Sequence, residues 1–147
     1  MPVLLLSVRV APAAYGEGVF ACRAFKRRQR IGRVYGEVVG GEEGSEYAID
    51  LGDDRLLEPG PPFRFLNHSC DPNCELLNYT PDGVPPHEYE VYVQAVRPIS
   101  AGEQLTIDYA WAADVAIRCG CRSERCRGWI VSVDQLPQVL ARRPDQR

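Results

Sequence analysis

The 13 glycines and 12 prolines of this 147-residue chain cut it into short apolar runs. Runs of that length, bounded by turn residues, make strands rather than long helices. The clearest is Tyr89 to Val96. There Tyr89, Val91, Val93 and Ala95 share one face, while Glu90, Tyr92 and Gln94 share the other. Period two over that length predicts a half-buried strand. Further strands are expected at Val3–Val10 and Gly18–Phe25, around a turn at Ala11–Gly16. Ile31–Val39 reads as a third, broken by Gly32 and Gly36, and Gly40–Gly44 as a loop. Short strands follow at Tyr47–Leu51 and near Cys74–Tyr79, the latter joined to Tyr89 by a loop at Thr80–Pro86. Gln104–Tyr109 is a last central strand after a turn at Ser100–Gly102. One helix is expected at Asp134–Ala141, with Pro137 in its first turn. The fold class is therefore mostly β.

Hydrophobic residues make up 45 % of the chain and charged ones 25 %, a composition that buries a core. A net charge of -3 argues against broad electrostatic contact with nucleic acid, so no direct nucleic-acid binding is expected. The local exception, Lys26-Arg27-Arg28-Gln29-Arg30, reads as a solvated turn, with a docking patch for an acidic partner as the alternative. No apolar run approaches the roughly 20 residues of a membrane-spanning helix. The apolar start, Val3 to Val8, lacks a basic leader and is interrupted by Arg9, so it reads as a strand and not a signal peptide.

Four segments carry chemistry. Gly16-Glu17-Gly18 precedes a strand and lets backbone approach a ligand, but no helix or third glycine makes it a dinucleotide fingerprint. Arg64 to Asn73 concentrates polar groups after an apolar triplet, and includes Asn67, His68 and Cys70. Its ordinary reading is a hydrogen-bonded turn; a Cys70–His68 nucleophile is the alternative, for which proximity in sequence does not establish the geometry. Gly102 to Tyr109 ends a strand on a tyrosine. Cys119, Cys121 and Cys126 crowd together near the C-terminus and supply three corners of a zinc tetrahedron. The fourth ligand is to be sought among Cys22, Cys70 and Cys74. Such clustering favours a reducing, intracellular compartment: cytoplasm in a bacterium, nucleus or cytoplasm in a eukaryote.

Taken in order, these segments resemble the SET family of protein-lysine methyltransferases. The resemblance runs from about Ala13 to Ile130: Gly-x-Gly-Val-Phe-Ala, Tyr-Gly-Glu, Arg-Phe-x-Asn-His-Ser-Cys-x-Pro-Asn, Gly-Glu-x-Leu-Thr-x-Asp-Tyr, then the post-SET cysteines. It implies a SET-domain (β-clip) fold of small curled sheets, with a pseudoknot joining the Asn-His-Ser-Cys strand to the Asp-Tyr segment. The expected division is a SET domain over 1–115, a zinc-binding segment over 116–132 and a tail over 133–147.

The activity implied is transfer of a methyl group from S-adenosyl-L-methionine to a lysine amine. The resemblance assigns cofactor binding to Gly16, Glu17, Gly18, Asn67, His68 and, by a looser match, Tyr47; Trp129 stands where relatives place an aromatic near the adenine, with burial against the domain an equally good account. It assigns zinc to Cys70, Cys119, Cys121 and Cys126, and catalysis to Tyr109, with Tyr35 as a channel wall. Ile107 departs from the Phe or Tyr that many relatives hold there, which points towards more than one methylation. The implied partner is a lysine-containing protein or peptide, a histone or another, with the chain a monomer or homodimer. The competing readings are a zinc-stabilised SET-like module that binds peptide without catalysis, and a thiol redox protein.

Overall fold

The computed structural model describes residues 7–85 and 88–142. The expected strand start at Val3, the end of the loop at Pro86 and the last residues of the tail lie outside them. Within them, strands dominate and form small separate sheets. β1 (Val8–Pro12) and β2 (Glu17–Ala21) make an antiparallel hairpin closed by an Ala13 N–H bond to the Gly16 carbonyl. β3 (Arg30–Arg33) and β4 (Gly36–Gly40) come from the run that reads as one broken strand, but they enter different sheets. The break falls at Val34 and Tyr35, just ahead of Gly36, whose backbone runs against the Glu58 carbonyl with no room for a side chain.

β4 pairs with β6 (Arg55–Pro59), which pairs in turn with β5 (Ile49–Gly52). The β5–β6 turn places Asp53 and Asp54 at φ 54° and 59°, a left-handed pair that aspartate tolerates better than most residues. β6 is a strand that the sequence reading does not contain. Its apolar signal is only Leu56-Leu57 ahead of Glu58-Pro59, yet it is the central strand and Leu57 is fully buried.

β7 (Asn67–His68), β8 (Cys74–Asn78), β9 (Val91–Ala95) and β10 (Gln104–Ile107) complete the main body. Val91, Val93 and Ala95 are fully buried, as the alternation requires. β9 lies between β3 and β8. The second predicted strand ends early, at Ala21, and Phe25 instead makes an isolated bridge to Ile99.

The pairing that matters most is parallel: Thr106 against Asn67 and Ile107 against His68. It joins segments about 40 residues apart and is the juxtaposition the pseudoknot implies. Asn73 bolts it in place. Its buried amide donates to the Gln104 carbonyl (2.8 Å) and to Glu103 Oε2 (3.1 Å), and its Oδ1 accepts from the Thr106 N–H (2.9 Å).

The chain then passes through a 3-10 turn at Ala113–Val115 and a short hairpin, β11 (Ile117–Arg118) with β12 (Trp129–Ile130). Another 3-10 turn (Val133–Gln135) leads into α1 (Leu136–Leu140), with Pro137 in the first turn as expected. Two cores result. The larger runs from Val8 to Leu105 in sequence, and the smaller consists of Ala113, Trp129, Val131 and Val139. Among the described residues no helix is long and apolar enough to cross a membrane.

Candidate active site

Two cavities meet at one side chain. The first, of about 440 Å³, is lined by Asn67, His68, Thr106 and Tyr109 on the body and by Ile117 to Arg122 on the C-terminal segment. The second, of about 270 Å³, is lined by Tyr47, Phe63, Leu66, Ile107, Tyr109 and Trp111, with Glu46 and Asp50 among its polar groups. Among the described residues Tyr109 alone belongs to both linings.

The setting of Tyr109 follows from β7 and β10. Its hydroxyl donates to the Leu66 carbonyl at 2.6 Å, and its backbone N–H donates to His68 Nδ1 at 3.0 Å. Burial pushes the hydroxyl up to about 12, with Tyr47 and Glu46 adding to the shift, so it is a neutral group at ordinary pH. Accepting that backbone N–H fixes the His68 tautomer, leaving the proton on Nε2, 3.4 Å from Cys70 Sγ. Burial holds the His68 pKa below its usual value and outweighs the pull of Asp108, while Arg127 lowers it further. His68 therefore stands neutral between the tyrosine and the sulfur cluster.

Asn67 is fixed by the Gly-x-Gly turn. Its amide donates to the Glu17 carbonyl (3.0 Å) and to Gln104 Oε1 (2.9 Å). Gly18 makes that approach feasible, because a Cβ there would lie 2.5 Å from Gln104 Oε1 and 3.2 Å from Asn67 Nδ2. Gly16 supplies the left-handed turn at φ +70°. The turn holds the cavity wall while Ala14 and Tyr15 line it.

The Sγ atoms of Cys70, Cys119, Cys121 and Cys126 all lie within 4.8 Å of one another, and Cys70 and Cys119 are 3.7 Å apart. Zn–S bonds of about 2.3 Å set tetrahedral sulfurs about 3.8 Å apart. Backbone N–H groups point at three of the sulfurs, each at 3.4 Å: Cys121 to Cys119, Arg127 to Cys70 and Gly128 to Cys126. Burial raises the Cys70 and Cys119 thiols. At Cys121 burial also raises, but backbone donors and neighbouring thiols outweigh it and bring the group down to about 6. A second thiolate in this cluster needs a cation beside it, and four sulfurs in this arrangement fit Zn²⁺. Cys22 is exposed and Cys74 is buried in β8, where burial pushes its thiol up to about 12.

The sequence-derived residues divide accordingly. Asn67, His68 and Tyr109 come together in the first cavity, with Gly16, Glu17 and Gly18 behind Asn67. Tyr47 lines the second cavity instead, with the Arg64 guanidinium 4.5 Å from its ring centre. Tyr35 lines neither cavity; it is exposed beside Arg33. Trp129 also lines neither, because its ring is buried in the small core and Arg118 packs over it. Trp111 was missed, although it stacks on Tyr109 with ring centres 5.4 Å apart. Its two-residue spacing from Tyr109 was the available signal. Asp108 and Arg127 were missed as a pair (2.9 Å), and nothing local in the sequence joins them.

The SET domain model matches residues 16–110, and the chain belongs to the SET-domain family. It is 31 % identical over 142 residues to histone-lysine N-methyltransferase ASHR3 of Arabidopsis thaliana, covering 85 % of this chain and 28 % of that protein. It is also 31 % identical over 138 residues to the probable histone-lysine N-methyltransferase set-23 of Caenorhabditis briggsae, covering 78 % of this chain and 56 % of that one. The chain thus spans less than two thirds of either relative. Among solved structures, KRYPTONITE in complex with mCHH DNA, an H3(1-15) peptide and SAH superposes with TM-score 0.71 at 23 % identity, over 84 % of this chain and 29 % of that one. The likeness extends the family assignment to the fold.

Proposed function

We propose that this chain is the catalytic domain of an S-adenosylmethionine-dependent protein-lysine N-methyltransferase. The observation that carries the reading is that Tyr109 is shared by two cavities; on this reading the first would take the cofactor and the second a lysine side chain. The names of the relatives and the SAH in the neighbouring structure favour the same assignment. Asn67 and His68 would hold the cofactor in the first cavity, and the four cysteines a structural zinc that shapes its far wall. When bound, the cofactor supplies a methyl group on a sulfonium, which an amine can displace.

The chain's own residues supply position and environment. Tyr109 donates its proton to the Leu66 carbonyl, so its oxygen lone pairs are free to accept from the amine and to align it. A neutral hydroxyl held near 12 does not act as the base. The ammonium would instead give up its proton to bulk water as it enters the lining of Phe63, Leu66, Ile107 and Trp111, since desolvation lowers an amine pKa from about 10.4. Alignment of this kind can lower a barrier by as much as about 7–11 kcal/mol.

Ile107 in the second cavity brings no hydroxyl to anchor a water, which favours successive methylations. Glu46 and Asp50 on the same lining suit a basic peptide such as a histone tail. A radiolabelled methyl-transfer assay on lysine peptides, H3(1-15) among them, tests the proposal. Incorporation is expected, with Tyr109→Phe lowering kcat by about 10²-fold or more. Incorporation that the substitution leaves unchanged removes Tyr109 from the mechanism, and none on any lysine peptide removes the activity.

A further inference from the structure

The net charge of -3 averages two segregated runs. Residues 42–54 hold six carboxylates and no Lys or Arg, and give Glu46 and Asp50 to the second cavity. Residues 23–30 hold five cations and no carboxylate. These five, Arg23, Lys26, Arg27, Arg28 and Arg30, are all exposed, and none forms an ion pair among the described residues. None lines either cavity. Solvation accounts for their exposure, but not for the way the turn is built. The Lys26 N–H donates to Gln29 Oε1 (2.9 Å), and the Gln29 N–H donates back to the Lys26 carbonyl (3.0 Å). The Arg28 N–H donates to the Ala95 carbonyl (2.8 Å), and the Ala95 N–H to the Gln29 carbonyl (2.9 Å), which ties the turn to β9. Arg28 takes a left-handed φ of 69°, where glycine or asparagine costs less. A fixed loop thus presents three successive cations, one of them at a position the backbone alone would give to glycine.

We propose that the turn of Lys26, Arg27 and Arg28, flanked by Arg23 and Arg30, docks the phosphate backbone of duplex DNA. The inference goes beyond the methyltransferase reading and stands without it. Closely spaced cations release counterions from a phosphate backbone, and that release drives binding without base contacts. A protein partner fits the turn less well, because protein interfaces concentrate aromatic groups and deplete lysine, and Phe25, the one ring in this run, is buried. A single strand also fits less well, since its bases need free aromatic faces. The rings beside Arg30, Tyr79 and Tyr92, carry its guanidinium 5.1 and 4.2 Å from their centres. Together with the acidic lining of the second cavity, the turn matches a nucleoprotein, which offers a polyanion and a basic polypeptide at once. Docking on the DNA raises the effective concentration of the lysines bound to it.

Fluorescence anisotropy of a labelled random-sequence duplex, titrated with the full chain between about 50 and 200 mM salt, tests the assignment. For wild type, log K is expected to fall with log salt at a slope of about -3 to -4, the value for about three to five phosphate contacts. Arg28→Gly suits the left-handed backbone and so keeps the turn, yet it should flatten the slope by about 0.9. Lys26→Gln, Arg27→Gln and Arg28→Gly combined should flatten it by about 2.7 and weaken low-salt binding by about tenfold or more. A slope unchanged in the combined variant overturns the docking site, and so does failure of wild type to bind the duplex at low salt. Tighter binding at matched salt to polyglutamate, to the single strand or to phosphatidylserine vesicles overturns the choice of DNA. Methyl transfer to a free lysine peptide is expected to match wild type in both variants; a loss there makes the turn part of the catalytic fold and overturns its docking role. DNA binding by a chain that transfers no methyl group upholds this inference and removes only the methyltransferase reading.

Discussion

The body of the molecule and its C-terminal segment are stabilised by different means. The body buries a continuous set of aliphatic side chains from Val8 to Leu105, with Val19, Leu57, Val91, Val93 and Leu105 fully inaccessible. The C-terminal segment buries only Ala113, Trp129, Val131 and Val139, and leaves Val115, Ile117, Val133 and Leu140 exposed. A core that small does not offset the ordering entropy of the residues around it. What the segment has instead is the sulfur cluster, to which the body contributes Cys70. The lesson is that the first cavity has one permanent wall and one conditional wall, and that the condition is metal.

Chelation breaks the comparison most strongly. Zinc bound by small thiolate peptides contributes apparent free energies of about 10–16 kcal/mol, which appear as folding. Stripping the metal is expected to abolish amide protection across residues 113–142 while strands β2, β8, β9 and β10 keep theirs. Hydrogen exchange with and without chelator reads this directly. If protection falls equally in both regions, the cores are one cooperative unit and the distinction fails. Metal analysis well below one zinc per chain in fresh protein removes its basis.

Arg127 tests the joint between the regions with a smaller effect. Its backbone N–H points at Cys70 Sγ, while its guanidinium donates to Asp108 Oδ1 (2.9 Å) and to the Val131 carbonyl (3.0 Å). Asp108 in turn accepts from the Ala110 N–H, in the left-handed turn that carries the chain from Tyr109 to Trp111. One residue therefore ties metal loop, small core and tyrosine together. Arg127→Ala keeps the backbone contact but removes the side-chain bonds. It is expected to cost about 1.5–3 kcal/mol in denaturant unfolding, since a charged hydrogen-bond partner is left behind, with zinc retained. A loss under about 0.5 kcal/mol would make the two regions independent at this point.

The same contrast governs what was readable beforehand. β9 was legible because Val91, Val93 and Ala95 alternate with polar residues, and that pattern has one physical cause. The cysteine cluster was legible because metal chemistry restricts ligand type and spacing. Cys70 could be singled out only through the family resemblance, since local spacing left Cys22 and Cys74 equally available. β6 was hidden because a central strand of a small sheet needs only Leu57 to be fully buried, and Pro59 and Gly60 mask so short a run. Tyr35 and Trp129 show where local sequence stops being informative. Each is an aromatic beside a motif, but side-chain direction is set by tertiary packing, which sent one to solvent and the other into the small core.

The smallest expected effect concerns the hydroxyl at the join of the two cavities. In an unfolded chain the Tyr109 phenol titrates near pH 10. In the fold burial moves it to about 12, helped by Tyr47 and Glu46. A folded pKa above the unfolded one means the fold prefers the neutral form. That preference is fully present below pH 10, and it is lost as pH rises through about 12, because the unfolded chain releases its proton first. The stability difference between wild type and Tyr109→Phe should therefore be flat up to pH 10 and decline from there towards 12. Urea unfolding of both proteins across that range isolates the contribution from other groups titrating at high pH. Tyr47 and Glu46 belong to the body, so the decline should survive removal of zinc. A step that disappears on chelation would instead assign the burial of Tyr109 to the metal loop, and the permanent wall would prove as conditional as the other.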